Sequence, residues 1–171
     1  MSPELEAEIA ALLADPPADP PADPPADPLQ VIAEGMIVPA AHHHALATLL
    51  KAHGYGLYVT VAASHWPQEK ASRKEPNPPP ERFEVATVLR NPTAPGAPAF
   101  WWSVHLAPAE AIDSIVDLFA GADWQEREQW DLVGVVFANH PNLKRLMLPE
   151  DWQGHPLRKD YAIDTPHAPW R

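Results

Sequence analysis

Apolar residues recur along this chain with two periods, and the changes of period mark out its elements. Leu5, Ile9, Leu12 and Leu13 form a stripe at helical spacing behind Ser2-Pro3-Glu4. That tripeptide has the form of a helix start: a hydroxyl cap, Pro at the first helical position and an acid in the first turn. Leu46, Leu49 and Leu50 form a second stripe, predicting a helix over 40–53 with Gly54 just past its end. The period then falls to two. Tyr55, Leu57, Val59 and Val61 share one face of a strand over 55–63; Phe83, Val85 and Leu89 do so over 82–90, and Phe100, Trp102, Val104 and Leu106 over 100–106. Loop 91–98 is dense in turn residues and joins the last two strands, whereas loop 66–81 is long and rich in Pro, Lys and Glu. A helical period returns after Pro108, with Ile112, Ile115, Val116 and Phe119 as its stripe and Gly121 as its stop.

Two amphipathic helices on one face of a largely antiparallel sheet define a two-layer α+β domain over 29–121. Residues 1–28 are expected to stand apart from it and to be disordered. From Ala14 the motif Ala-Asp-Pro-Pro is written three times and ends in Ala26-Asp27-Pro28. Paired prolines forbid helix and favour a semi-rigid polyproline-II spacer. This tract is either a tether for the first helix or a neutral low-complexity expansion, and a helix of about 12 residues needs a partner surface to persist.

Residues 122–171 form a third segment. Asp123 in an N-cap position, three residues before Glu126, predicts a helix over 124–133 that Gly134 closes. On it Arg127 and Asp131 are one turn apart, while Glu126, Trp130 and Val133 share a face. A short buried strand at Val135-Val136-Phe137 follows. His140-Pro141 and His155-Pro156 each push a His backbone towards extended geometry. A turn at Trp152-Gln153-Gly154 and the stiff Pro156-Leu157 lead to Arg158-Lys159-Asp160. This is either an extended segment preorganised for docking across another chain or a surface loop with solvated charges.

Charge and composition narrow the classes. Residues 1–28 hold seven of the 23 acids and no Lys or Arg, so most of the formal charge of −11 belongs to that tail. The rest carries sixteen acids against twelve bases, with no basic patch suited to tracking phosphates. The absence of Cys excludes disulfides and thiolate-held zinc or iron–sulfur clusters on this chain. No apolar run approaches the roughly 20 residues that span a bilayer, and the acidic start lacks a signal peptide's basic region, so a soluble chain that stays where it is made is expected. His42, His43 and His44 are consecutive on a predicted helix, so their side chains diverge by about 100° and do not converge on one ion. His105 lies on the minor face of its strand. Nucleophile-elbow, P-loop and dinucleotide-binding glycine motifs do not occur.

The run from Ala122 to Tyr161 carries further information. Glu126-Arg127-Glu128, Asp131, Gly134, Phe137, His140-Pro141, Leu143, Arg145, Asp151-Trp152, Gly154 and Pro156-Leu157-Arg158-Lys159-Asp160 stand at characteristic spacings. They resemble the signature of the 30 kDa subunit family of NADH-quinone oxidoreductase (respiratory complex I), also called its C subunit. The resemblance implies an α+β fold and a non-catalytic structural subunit of the hydrophilic arm. NADH, FMN, iron–sulfur clusters and quinone would be held by partner subunits, with none on this chain. It implies contacts with subunits D, B and I, and a peripheral place on the cytoplasmic side of the bacterial cell membrane. Glu126, Arg127, Glu128, Asp131, His140, Pro141, Arg145, Asp151, Trp152, Gly154, Pro156, Arg158, Lys159 and Asp160 would be its interface and fold-defining positions. The equivalent subunit of a related membrane-bound hydrogenase or dehydrogenase is a sister reading, and a His-dependent metalloenzyme a distant one.

Overall fold

The computed structural model describes residues 2–14, 31–32, 35–68, 77–94, 96 and 98–162. The proline repeat, half of the 66–81 loop and residues 163–171 lie outside them.

Five strands form one sheet in the order β1-β2-β5-β4-β3. β1 (Val31–Ile32) pairs antiparallel with β2 (Gly35–Ile37), and β2 pairs parallel with β5 (Phe100–Leu106). β5, β4 (Arg82–Arg90) and β3 (Leu57–Trp66) are successively antiparallel. Alternation along β4 and β5 is as their sequences imply. Phe83, Val85, Leu89, Trp102, Val104 and Leu106 are buried on one face, with Thr87 among them.

A short 3-10 turn (Ala40–His42) leads into α2 (His43–Ala52), whose Leu46 and Leu50 are fully buried. Gly54 follows with φ 89°, a left-handed conformation that Gly adopts without strain. Within the core the Trp102 indole N–H donates to His43 Nδ1 at 3.0 Å. Burial, and then the neighbouring His44, hold His43 down to about 3, so the ring stays a neutral acceptor.

α1 (Pro3–Ala14) corrects the expectation that residues 1–28 stand apart. Its cap is as its sequence implies, with Leu5 N–H donating to Ser2 Oγ at 3.3 Å. Leu5, Ile9 and Leu13, however, join the common core, and Glu8 meets His53 at 3.1 Å beside α2. A helix too short to persist alone is thus held by tertiary packing.

The register of β3 shifts between Tyr58 and Thr60. The extra residue of a bulge breaks the two-residue alternation, so Tyr55 and Val61 are buried while Leu57 and Val59 are exposed. The predicted helix after Pro108 is absent. In its place β6 (Ala111–Asp113) pairs parallel with β7 (Val136–Ala138), and turns follow up to residue 121. Ile112, Ile115 and Phe119 are still buried. Their spacing does mark an inward face, but the strand depends on a partner 25 residues away in the chain, which local periodicity does not register. In β7, Phe137 is buried and Val136 is exposed.

Gly121 caps the start of α3 (Ala122–Val133) instead of stopping an earlier helix, and Asp123 makes no capping bond. α3 lies along the outer edge of the sheet. Gln125 Oε1 accepts from Val61 N–H and Gln129 Oε1 from Ala63 N–H, both at 2.9 Å. Two side chains one helical turn apart thereby satisfy an edge that would otherwise offer free donors.

Candidate functional site

The signature residues gather around α3 in three clusters. The first is centred on Asp131, which has no exposed surface. Its Oδ1 accepts from Arg145 Nη1 at 2.6 Å, and its Oδ2 accepts from the N–H groups of Leu146, Met147 and Leu148 at 3.0, 2.8 and 3.0 Å. Arg145 Nη2 continues to the carbonyls of Trp152 and Gly154, and His155 Nδ1 meets the Asp131 carbonyl at 2.9 Å. One carboxylate and one guanidinium thus tie the irregular segment 145–155 to the last turn of the helix. Burial works against the charge of Asp131, but the Leu148 N–H, the Arg145 guanidinium and the N–H groups of Leu146 and Met147 outweigh it and hold the carboxyl below its usual range. Arg127 does not pair with Asp131 as their spacing suggested. It donates to the carbonyls of Lys144 and Arg145 at 3.2 and 3.4 Å.

Two glycines allow this packing. Gly134 (φ 92°) closes α3, and a Cβ there would lie 2.8 Å from the His155 ring; at Gly154 (φ 82°) one would lie 2.9 Å from Tyr161. Glu128 is half-buried on α3 and Asp151 is exposed, while Trp152 and Pro156 are half-buried.

The second cluster centres on Glu126, whose position on the inner side of α3 puts it 1% exposed. Ser114 Oγ donates to Oε2 at 2.6 Å and Ile115 N–H to Oε1 at 2.9 Å. The Ser114 hydroxyl in turn accepts from Val116 N–H at 3.2 Å. His140 Nδ1 accepts from Asn142 N–H, which leaves the proton on Nε2, directed at the Asp123 carbonyl and 4.0 Å from Glu126. No Lys or Arg pairs with Glu126 among the described residues. Burial therefore pushes its carboxyl up to about 7, against the bonds from Ser114 and Ile115 and with help from Asp123 and Asp117. Ser114 also lines an open groove of about 610 Å³ with Asp113, Asp117, His44, Asn139 and Pro141.

The third cluster overturns the reading of Arg158-Lys159-Asp160 as an extended docking strip. Residues 155–161 fold back in turns, with Leu157 N–H donating to the Leu132 carbonyl and Tyr161 N–H to that of Arg158. Arg158 grips both oxygens of Asp160 at 2.9 and 2.8 Å, reaches Glu81 at 3.2 Å and sits over the Phe83 ring. The Arg158 bonds come first in holding the Asp160 carboxyl below its usual range. Buried His65 accepts the Lys159 N–H at Nδ1 and turns Nε2 to Glu81 at 3.0 Å. The Lys159 side chain is exposed. His65, Glu81 and Asp160 could gather around a metal ion, but the Arg158 guanidinium lies between the two carboxylates and supplies the positive charge itself.

His42, His43 and His44 face different surroundings. His42 is buried, His43 meets Trp102, and His44 lies 2.9 Å from Asp117. Sequence reasoning missed Ser114, His65 and Glu81, which no local spacing links to the signature. It also missed Gln125 and Gln129, whose one-turn spacing gives no sign of a strand edge.

A mixed five-stranded sheet with helices along it, and signature residues bonded inward, define a small α+β module built to hold shape. Residues 36–167 match the model of the family described as respiratory-chain NADH dehydrogenase, 30 Kd subunit, and the chain belongs to that family. It is 59% identical over 51 residues to the J subunit of NAD(P)H-quinone oxidoreductase of Prochlorococcus marinus (strain AS9601), covering 30% of this chain and 29% of that one. Over 55 residues it is 51% identical to the C subunit of NADH-quinone oxidoreductase of Geotalea uraniireducens (strain Rf4), 32% of this chain and 34% of that one. The C/D subunit of NADH-quinone oxidoreductase of Shigella flexneri serotype 5b (strain 8401) is 56% identical over 60 residues, 34% of this chain and 10% of its own length. These matches span about a third or less of the curated relatives' lengths. Among solved structures, a trypsin-resistant fragment of Nqo5 superposes with a TM-score of 0.50 at 25% identity, covering 63% of this chain and 80% of the fragment.

Proposed function

We propose that the chain is a non-catalytic structural subunit of the hydrophilic arm of a proton-translocating NADH-quinone oxidoreductase. The observation that carries this reading is the use made of the signature. Asp131, Arg145, Glu126, Arg158 and Asp160 all bond within the chain, fixing the shape of an irregular surface instead of converging on a reacting atom. NADH, FMN, iron–sulfur clusters and quinone are then held by neighbouring subunits, and electrons pass through those neighbours. The chain itself has no Cys with which to hold a cluster. Subunits D, B and I are the partners in this reading, and the relative whose name joins C and D supports the first of them. The chain sits at the cytoplasmic side of the cell membrane and is held there by partners; among the described residues no helix is long and apolar enough to cross a bilayer. The exposed signature positions Pro141, Asp151 and Lys159, with half-buried Glu128, are the contacts available to those partners.

Gentle fractionation of respiring cells followed by immunoblotting tests this. The chain is expected in the membrane fraction, co-purifying with other subunits of the oxidoreductase. Recovery of nearly all of it as a free soluble monomer would overturn the reading.

A further inference from the structure

The second face of the sheet carries no described element, and the strand register fixes what it displays. Thr60, Val88 and Trp101 lie in one row across β3, β4 and β5, and Ala62 and Ala86 in the next, where the Ser103 beside them is buried and donates its hydroxyl to Glu84 at 3.1 Å. The bulge adds Leu57 and Val59, which are 49% and 41% exposed. This apolar belt ends in a cation at each end of β4. Arg90 is exposed at one, and at the other Arg82 lies over the Trp66 ring with its Nε buried and unbonded. The arginine ion pairs among the described residues belong to Arg145 and Arg158, so neither Arg82 nor Arg90 has a carboxylate partner there.

A sheet face with an apolar centre and, at each end, an arginine without a carboxylate partner among the described residues fits an elongated partner with the opposite charges at its ends. Eight strand steps from Arg82 to Arg90 span about 27 Å, the length of a helix of about 18 residues. A second copy of this chain does not fit. Aligned face-to-face packing related by a twofold axis sets arginine against arginine, whichever way the strands run. An anionic bilayer is disfavoured by the chain's net charge of −11, and Glu84, between the two arginines, is taken up by the Ser103 hydroxyl at 3.1 Å.

We propose that this face is the seat of an amphipathic helix from a neighbouring subunit, its apolar stripe on the Val88–Trp101 and Ala62–Ala86 rows and its carboxylates at Arg82 and Arg90. The proposal rests on the reading of the chain as a subunit of the oxidoreductase and names a surface and a partner chemistry for it. Photo-crosslinking tests it in the assembled complex. A benzophenone amino acid replaces Val88 in the full-length chain, expressed in its own cells, and the complex is isolated after illumination.

The expected result is an adduct with another subunit, mapped by mass spectrometry to a helical segment with an apolar stripe and acids towards both ends. In parallel, Arg90→Glu should lower recovery of the chain in the complex at least tenfold and Arg90→Lys should restore it. Both purified variants should melt within a few degrees of the parent. An adduct within the chain itself, with a second copy or with lipid overturns the proposal, as does normal incorporation of Arg90→Glu. A complex that contains the chain but yields no adduct defeats the proposal alone. A complex that lacks the chain defeats the subunit reading, and the proposal with it.

Discussion

Asp131 and Glu126 lie on the same helix, are equally hidden from water, and are handled in opposite ways. Asp131 is surrounded by a guanidinium and three backbone N–H groups, which keep it ionised. Glu126 receives a hydroxyl and one N–H but no Lys or Arg among the described residues, and its proton is held up to about pH 7. A chain can therefore bury a carboxylate either by neutralising its charge or by retaining its proton. The first solution fastens the irregular segment 145–155 to α3 at any physiological pH. The second fastens the turn at 114–116 to the same helix, with a strength that depends on pH.

Asp131→Asn should break the first fastening most severely. It removes the charge opposite Arg145 and sets an amide N–H2 against the N–H donors of 146–148, a loss of about 3–5 kcal/mol. Denaturant melts of the purified chain measure this, and a loss under about 1 kcal/mol would contradict the account.

The two carboxylates also respond to pH with opposite sign. The folded-state pKa of Asp131 is lowered, so its contribution is present above the ordinary carboxylate range and is lost as pH falls through the folded value. That of Glu126 is raised from 4.5 to about 7, so its contribution is full below 4.5 and declines as pH rises to 7, by about 3 kcal/mol. Glu126→Gln should abolish that decline; stability should then rise from pH 5 to about 6.5, where the buried neutral His43 excludes a proton that the unfolded chain binds, and be nearly flat above. A mutant that keeps the wild-type slope would place the titrating group elsewhere.

A smaller effect is expected from Ser114→Ala. Losing this donor should cost about 1–2 kcal/mol and push the Glu126 carboxyl further up, since the hydroxyl favours the ionised form. Carbon-detected NMR titration of the Glu126 carboxyl reads the shift, and movement downwards would contradict it. The smallest effect is Gln129→Ala, about 1 kcal/mol for one strand-edge bond, checked by amide exchange at Ala63.

Two kinds of region differ in how much of this was legible in the sequence. β4 and β5 are buried on one face and paired on both sides, so their alternation is their structure, and Phe83, Val85, Trp102 and Val104 read directly. At β3 a single extra residue reversed the faces of Leu57 and Val59, and a bulge leaves no mark on apolar spacing. Residues 111–119 kept their inward side but not their backbone, because the strand depends on β7. The signature positions were visible as a pattern, and the pairings were not. Arg127 and Asp131 look like a one-turn ion pair, yet Asp131 takes Arg145 from a loop that no local rule brings near. Arg158 looked free to dock elsewhere and is held by Glu81, 77 residues before it.

On this view the signature holds shape and performs no chemistry. The most direct test replaces the chromosomal copy with Asp131→Asn, then measures both the amount of assembled oxidoreductase containing the chain and NADH–quinone turnover per assembled complex. The amount is expected to fall severalfold while turnover per complex stays at the parental value. A complex assembled in full, with the variant in place and turnover reduced tenfold, would contradict the claim.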